Sequence, residues 1–562
     1  MLQVKDKGYG NNSVYYDEVF GLQIDSFTTE DNKGFVEKIV LDDGKEYIEL
    51  NTVEELINVF QHIIKAYNLK QYSKGKKDIL LVYTDNLKKA KGFLQKYITQ
   101  TFTFYIQILD FIEIRSIECW NPNAHTATDI QRHAQWIFDN VFNVDEYVYL
   151  TGNQIVRRRL NKAAKNDDTA RNIIKGINFT EYSIYRSGIF GGINYCAYPK
   201  YLVDEPVLAL DMKSAYIYDL LIEKHCMKQG VEVSPEYWEF YLASQKKASF
   251  GKYKISYSTS KNLITCYKDV NGFKLEKGTH EVVCNFTNVD LKIFLDIIHV
   301  HEVTCTWLVE YELDYVPKYV RDVLIEEYIK KEKLPKDSIE RALEKIVVNG
   351  VYGDTIRNYD NGKTYNNYKK GAALAFQWGI WTCSYCKKNL LNLATKLDKD
   401  SWLYSATDSV YCLDTPNNRK IIEEVNAEIQ AKTKAFCELF GYNYDDLKEL
   451  GTFQLEAEIV KFKAIKHNQY MYKTKDGEII LKAGGIPNKE TIKCDDSLFE
   501  MYDLPHTTRT KGIISSDTIE ADINGRHYKS EGYYYEIIQD YKARVIDDYI
   551  DKLLTFYFEQ ED

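Results

Sequence analysis

Apolar and polar positions change their period along the chain, and the changes mark out its elements. Between Glu18 and about Phe142, GLQIDSF and KDILLVYTDN read as strands, while EELINVFQHIIKAY is apolar at helical spacing. This alternation predicts an α/β module. A basic stretch, NQIVRRRLNKAAKNDD, and a glycine cluster, SGIFGGINY (187–195), follow and read as a linker and joint. EPVLALDMKSAYIYDLL then opens as a strand. After hairpin-like segments, DVLIEEYIKKEKLPKDSIERALEKIVVNGVYG is helical, and Pro335 divides it into two helices, the second starting about Ser338. LYSATDSVYCLD predicts a hairpin near 402–413, and the region from about Asp495 onward predicts helix.

At 562 residues the chain needs several cores. A hydrophobic share of 44% with 9 prolines indicates globular folding rather than a long disordered tail. With 73 basic against 83 acidic residues the net charge is −10, so nucleic-acid binding has to come from local patches. The N-terminus carries no signal-peptide pattern and no apolar run is long enough to span a bilayer, which predicts a soluble, cytoplasmic protein without membrane partners. The 11 cysteines have no repeating spacing; Cys383 and Cys386 in WTCSYCKK have metal-ligand spacing but no second pair, so buried helix cysteines are expected there.

Three segments carry the chemistry. Asp211 ends an apolar strand, where a carboxylate either caps the following helix or needs a compensating cation. Asp408 lies in the turn of the later hairpin. Two carboxylates about 4 Å apart repel by roughly 4 kcal/mol at an effective dielectric near 20, and a divalent cation turns that repulsion into a site. Arg341, Lys345, Asn349 and Tyr352 recur at helical spacing, opposite Leu343, Ile346, Val347 and Val351. Such a stripe is either a solvated face or a phosphate grip, and the asparagine and tyrosine favour the grip.

In order and content these segments resemble motifs A, B and C of family B DNA polymerases: LDMKSAYIYDL, KIVVNGVYG and YSATDS. The protein-primed subgroup of bacteriophages and linear plasmids is the most similar, with FTNVDLKIFLDII between motifs A and B and FGG at the joint, where Ile189 replaces a tyrosine. The resemblance covers about 185–490. It implies a mixed α/β and α+β multidomain fold, with an RNase H-like, exonuclease-type domain before a right-hand polymerase of palm, fingers and thumb. The expected layout is an exonuclease-like domain at 1–150, the linker and joint at 151–192, palm and fingers at 193–494 with fingers about 320–355, and a thumb-like region at 495–562.

The implied activity is DNA-directed DNA polymerisation from dNTPs onto a primer 3′-hydroxyl or a protein hydroxyl, with Mg²⁺, or Mn²⁺ in its place, as cofactor. Asp211 and Asp408 would hold the metals with the Met212 carbonyl, and Lys345 would act with them in catalysis. Ser214, Tyr216, Lys333, Arg341, Asn349 and Tyr352 would bind nucleotide, Tyr216 under the sugar. Gly191, Gly192, Thr407, Tyr470 and Lys482 would meet DNA. The K-x-Y motif appears as Asn468-Gln469-Tyr470, without its lysine. Expected partners are a primer-template, dNTPs and, as alternative primer, a terminal protein, for a monomer in a bacterial host's cytoplasm.

Several positions depart from the family pattern. Ala406 replaces the first aspartate of motif C, which weakens the metal site. In IRNYDNGKTYNNYKKG (356–371) the expectation is a shortened β-hairpin turning at DNG, with reduced strand displacement. In the exonuclease-like region Asp25 and Asp129 remain, while Phe27 and Ala90 stand where carboxylates belong and His125 replaces a tyrosine. The alternatives are an inert, polymerase-derived nucleic-acid-binding protein and a template-independent nucleotidyltransferase. Two of four carboxylates hold two metals poorly, so the module is expected to guide DNA rather than digest it. Purified protein is therefore predicted to leave single-stranded DNA intact; 3′–5′ digestion abolished by Asp25→Ala would overturn this.

Overall fold

In the computed structural model, residues 14–28, 34–73, 76–87, 90, 112–117, 120, 124–142, 152–260, 262–336, 338–466, 468–484, 492–501, 504, 506–514, 519–523, 526–530 and 533–541 are described. The first module comprises β1 (Val14–Thr28), β2 (Gly34–Asp42), β3 (Tyr47–Leu50), α1 (Val53–Ala66), β4 (Gln71–Ser73), β5 (Lys76–Thr84), β6 (Ile112–Ser116) and α2 (Ala127–Ile137). Its sheet runs β3-β2-β1-β5-β4 with β6 also on β5, and β1, β5 and β6 pair in parallel. Thr52 and Glu55 close a capping box that starts α1. Alternation along β5 sends Leu80 and Val82 to the core under α1, and Leu81 and Tyr83 to the one shared with α2. Strand β1 passes so close to α2 that a Cβ on Gly21 would lie 2.0 Å from the Ala127 carbonyl oxygen.

The basic stretch is not a linker. It folds as α3 (Gly152–Ala163), α4 (Thr169–Ile174) and α5 (Phe179–Ser187), with Ile155, Val156 and Leu160 fully buried. Its arginines draw the eye in the sequence, yet the apolar residues between them set its place in the main core.

Next come β7 (Ile193–Cys196), β8 (Leu202–Val203), β9 (Val207–Met212) and α6 (Ala215–Ile222). The hairpin-like interval forms β10 (His225–Cys226), β11 (Val231–Glu232), β12 (Lys247–Thr259), β13 (Gly278–Thr287), α7 (Asn288–Ile297) and β14 (His299–Asp314), a sheet of order β10-β14-β12-β13 with β11 on β14. Helices α8 (Lys318–Lys333) and α9 (Ile339–Thr355) flank the turn expected at Pro335, and the Ser338 side chain caps α9. Arg157 and Arg159 of α3 reach Asp354 of α9 and Glu327 of α8, tying both helices to the former linker.

The hairpin expected at 356–371 is instead α10 (Gly362–Lys370). Asn361 accepts the Thr364 amide at the helix start, and Tyr365 stacks on Tyr182 at 4.6 Å, so capping and aromatic packing override the DNG turn signal. Helix α11 (Phe376–Ala394) is buried through most of its length, Cys383 and Cys386 included. Then follow β15 (Trp402–Thr407), β16 (Ser409–Leu413), α12 (Pro416–Phe440), β17 (Phe453–Lys466), β18 (Gln469–Thr474) and β19 (Ile479–Ala483). They complete a sheet of order β19-β18-β17-β9-β16-β15-β7, with β8 on β17.

The helix expected after Asp495 is also corrected. Beyond one 3₁₀ turn the chain forms β20 (His506–Ile514), β21 (Ile519–Ile523), β22 (Arg526–Ser530) and β23 (Tyr533–Tyr541), pairing β20 with β23 and β21 with β22. The isoleucines, threonines and tyrosines of these segments favour strand over helix. The rest of that expectation, residues 542–562, lies outside the described residues.

A buried ion pair joins α11 to the second sheet's helix. Lys387 Nζ lies 3.1 Å from Asp290 Oδ1, and neither side chain is more than 1% exposed. Removing one partner strands the other charge in the core. Lys387→Met is predicted to cost about 3–5 kcal/mol in urea unfolding, with much of it recovered by adding Asp290→Asn.

Candidate active site

Strand β9 lies between β16 and β17, buried from Val207 to Leu210, and it surfaces at Asp211. Across β16, Ser409 pairs with Asp211, and the Met212 amide donates to the Asp408 carbonyl at 3.0 Å. Backbone pairing thus brings the two aspartates to neighbouring strand ends, as expected. The turn is tight: Ala406 pairs with Ser409, leaving only Thr407 and Asp408 between them. Thr407 has φ of +65°, costly for a β-branched residue. Strand β7 presses on this turn, and a Cβ on Gly192 would lie 2.6 Å from the Thr407 Cα. That close approach explains the second glycine of the joint; around Gly191 the space is open.

A third carboxylate, Glu456, was not foreseen. Gln454 pairs with Asp211 across β17, and a register shift between Leu455 and Ala457 sets Glu456 at an irregularity in the strand. Burial, the Asp408 charge and the Glu456 charge push Asp211 up to about 7, against Lys345. Asp408 is raised by burial and Glu456, against a backbone hydrogen bond and Lys345. The only sequence sign of Glu456 is the broken alternation of FQLEAEIVKF.

Helix α9 supplies the opposing side. Lys345 and Asn349 are exposed, while Leu343, Val347 and Val351 are buried, so the middle of the predicted stripe is displayed and its ends, Arg341 and Tyr352, are partly buried. Tyr352 stacks on Tyr216 of α6 with centroids 4.0 Å apart and planes 12° from parallel, and it hydrogen-bonds Cys383 Sγ at 2.7 Å. Ser214, with φ of +52°, begins α6 and accepts from Lys331 Nζ at 2.6 Å.

Two expected nucleotide ligands are placed otherwise. Lys333 is exposed and lines a separate cavity of 530 Å³ with Ile325, Ile329 and Tyr442; helix phase turns Lys331, two residues earlier, toward Ser214. Arg341 is engaged within the helix pair, donating to the Lys331 and Leu334 carbonyls at 2.9 and 3.0 Å and to both Glu332 oxygens at 3.1 Å. Although burial opposes it, hydrogen bonds from Lys213 and Lys331 hold Glu332 down at about 2.

Beyond the hairpin, the Tyr470 hydroxyl accepts from Tyr411 at 3.0 Å and its ring lies 4.8 Å from Tyr404. Lys482 faces it across β18 and β19 and is exposed.

In the first module Gln23 ties the remaining carboxylates' elements together. Its amide donates to Asp25 at 3.0 and 3.1 Å, and its carbonyl accepts from the Ala127 amide at 3.0 Å. Asp129 is engaged at the start of α2, where its amide donates to Thr126 Oγ1 at 3.1 Å. Ala90 is buried, and the Phe27 side chain lies outside the described residues. Asp85, unremarked in the sequence, follows β5 and has His125 at 3.6 Å. Among the described residues no three His, Cys, Asp or Glu side chains are gathered to hold a metal ion, and no helix is long and apolar enough to cross a membrane.

Three solved structures match this architecture. Phi29 DNA polymerase complexed with primer-template DNA superposes with a TM-score of 0.60 at 11% identity, over 93% of this chain and 100% of that one. Its ternary complex with primer-template DNA and incoming nucleotide substrates gives 0.59 at 12% identity, over 93% and 100% of the two chains. The complex with single-stranded DNA gives 0.55 at 12% identity, over 92% and 99%. The chain shares the fold of phi29 DNA polymerase. No protein-family profile matches the chain, and no curated protein matches it. The fold class expected from the sequence, an exonuclease-type domain followed by palm, fingers and thumb, is therefore found.

The carboxylate pair suits a divalent cation. Its proton affinity is raised by burial and by neighbouring negative charge, and Lys345 offsets only part of it. A raised aspartate subtracts stability fully above its folded value near 7, and progressively less as pH falls toward the ordinary carboxylate range. Asp211→Asn is thus predicted to raise the melting temperature of metal-free protein at pH 8, with the gain shrinking toward pH 4. Scanning calorimetry across that range checks the sign.

Proposed function

We propose that this chain is a DNA-directed DNA polymerase that adds dNTPs to a primer 3′-hydroxyl or a protein hydroxyl by two-metal phosphoryl transfer, without 3′–5′ proofreading. The observation that carries the reading is the meeting of Asp211 and Asp408 on paired strands, with the Lys345 charge acting on both. Phi29 DNA polymerase structures hold primer-template DNA and incoming nucleotide on the same fold, and this chain is taken to bind both.

The residues divide the work. Asp211 and Asp408, with the Met212 carbonyl, would hold Mg²⁺ or Mn²⁺, which when bound neutralises charge at the oxygens exchanged at phosphorus. The Lys345 charge on α9 acts on the same carboxylates, and it would offset the charge developing on the leaving pyrophosphate. Lys331 and Arg341, on either side of the α8–α9 turn, would add cations for the phosphates. Tyr216, stacked flat on Tyr352, would lie under the sugar, and Asn349 and Tyr352 would line the nascent base pair. Gly192 and Thr407 at the β7–β15 end of the sheet, and Tyr470 and Lys482 at its β18–β19 end, would meet the DNA. Ala406 leaves the hairpin one carboxylate short, which lowers the charge available to metal.

The N-terminal module's two retained carboxylates are both held by hydrogen bonds to neighbours, which supports a guiding rather than hydrolytic role. A bacterial cytoplasm, a protein primer and a monomeric state complete the proposal.

Extension of a labelled primer on a defined template tests it. The expected product is templated and Mg²⁺-dependent, and Asp408→Ala lowers its rate at least about a hundredfold, a loss in line with removing one electrostatic contact to the transition state. Ala406→Asp is predicted to raise the rate with Mg²⁺ more than with Mn²⁺ in a quench-flow comparison. DNA binding without product would indicate an inert binding protein, and template-independent tails a terminal transferase.

A further inference from the structure

One carboxylate gathers three cations beside the loop that follows β9. Lys213 follows Asp211 on the loop between β9 and α6, Lys331 ends α8, and Arg341 opens α9; all three converge on Glu332, at 2.9, 3.0 and 3.1 Å. Lys331 also reaches Ser214 at 2.6 Å, so this cluster adjoins the loop that follows the Asp211 strand. Glu332 sits in the last turn of α8, where the helix dipole disfavours a negative charge and the neighbours Lys330, Lys331 and Lys333 are the residues the dipole favours. A carboxylate there is stable because of its three cations, and its side chain is 20% exposed, within reach of a ligand arriving from solvent. Glu449 shares Lys213, so that cation keeps a partner when Glu332 leaves.

Resting on the polymerase reading, we propose that Glu332 is an internal stand-in for the nucleotide's phosphates. With no nucleotide bound it neutralises Lys213, Lys331 and Arg341 and ties the two helices to the loop after β9. An incoming triphosphate or departing pyrophosphate, carrying several negative charges, takes over these cations and displaces it. Glu332 would then set how weakly the enzyme holds nucleotides and how readily pyrophosphate leaves. It acts through the cations and is a positioning residue, not a catalytic one.

Glu332→Gln keeps the shape and removes the competing charge. The expected result is a KM for dNTP lowered about fivefold to tenfold, with kcat unchanged or reduced by slower pyrophosphate release, and pyrophosphate inhibition strengthened in parallel. Calorimetric titration of inorganic pyrophosphate with Mg²⁺ into the full-length chain and primer-template should give tighter binding by the variant. If Glu332 merely orients Arg341, KM rises and pyrophosphate binds more weakly; that result, or no change in either, overturns the inference while leaving templated synthesis by the parent intact. Glu332→Ala, checked for an unaltered melting transition, separates lost charge from lost packing: tighter pyrophosphate binding in both variants supports the inference, and weaker binding in both refutes it. Failure of the parent to extend any primer, with tighter pyrophosphate binding by the variant retained, would instead reject the polymerase reading and keep the anion subsite.

Discussion

The architecture depends on holding two carboxylates at the ends of adjacent buried strands, where neither is comfortable. β9 is apolar up to Asp211 because it runs through the middle of the sheet, and its register with β16 is fixed by a ladder ending in the Met212–Asp408 backbone bond. A slip of one residue would send every side chain of β9 to the opposite face. The tension at this point is visible in the strained Thr407, in Gly192 pressed beneath it and in the raised proton affinity of Asp211. Strain and unfavourable burial that persist together in a folded protein mark a site supported by the surrounding structure.

Charge pairing also governs how the α8–α9 pair is held. At one end Arg157 and Arg159 of α3 grip Asp354 and Glu327. At the other, Glu332 gathers cations from three segments. Burial and the neighbouring Glu344 carboxyl raise Glu327 above the ordinary carboxylate range, against Arg159 and Lys330. The buried residues Leu343, Val347 and Val351 keep the pair itself together.

The segments misread in the sequence share a cause. The basic stretch at 153–168 resembled a linker because arginine and lysine dominate it, but burial of Ile155, Val156 and Leu160 outweighs solvation of the charges around them. In 356–371 an Asp-Asn-Gly signal pointed to a hairpin, and the same Asn361 instead caps a helix whose tyrosines find aromatic partners. Local signals of this kind are ambiguous until a tertiary neighbour selects one outcome. Lys333 and Lys331 illustrate it at finer scale: both are lysines on one helix, and only the helix phase against Ser214 decides which one meets the site.

Read alone, the sequence determined the order of the three chemical segments, the helix–turn–helix around Pro335, the hairpin carrying Asp408 and the alternation of the first module. Each of these follows from periodicity or from backbone chemistry within a few residues. The tertiary structure alone decided that the Glu456 charge acts on both aspartates, that Glu332 collects the cations and that Tyr216 lies flat on Tyr352. Those contacts join residues far apart in the chain, and their geometry follows from strand register and helix packing, which no local pattern of side chains encodes.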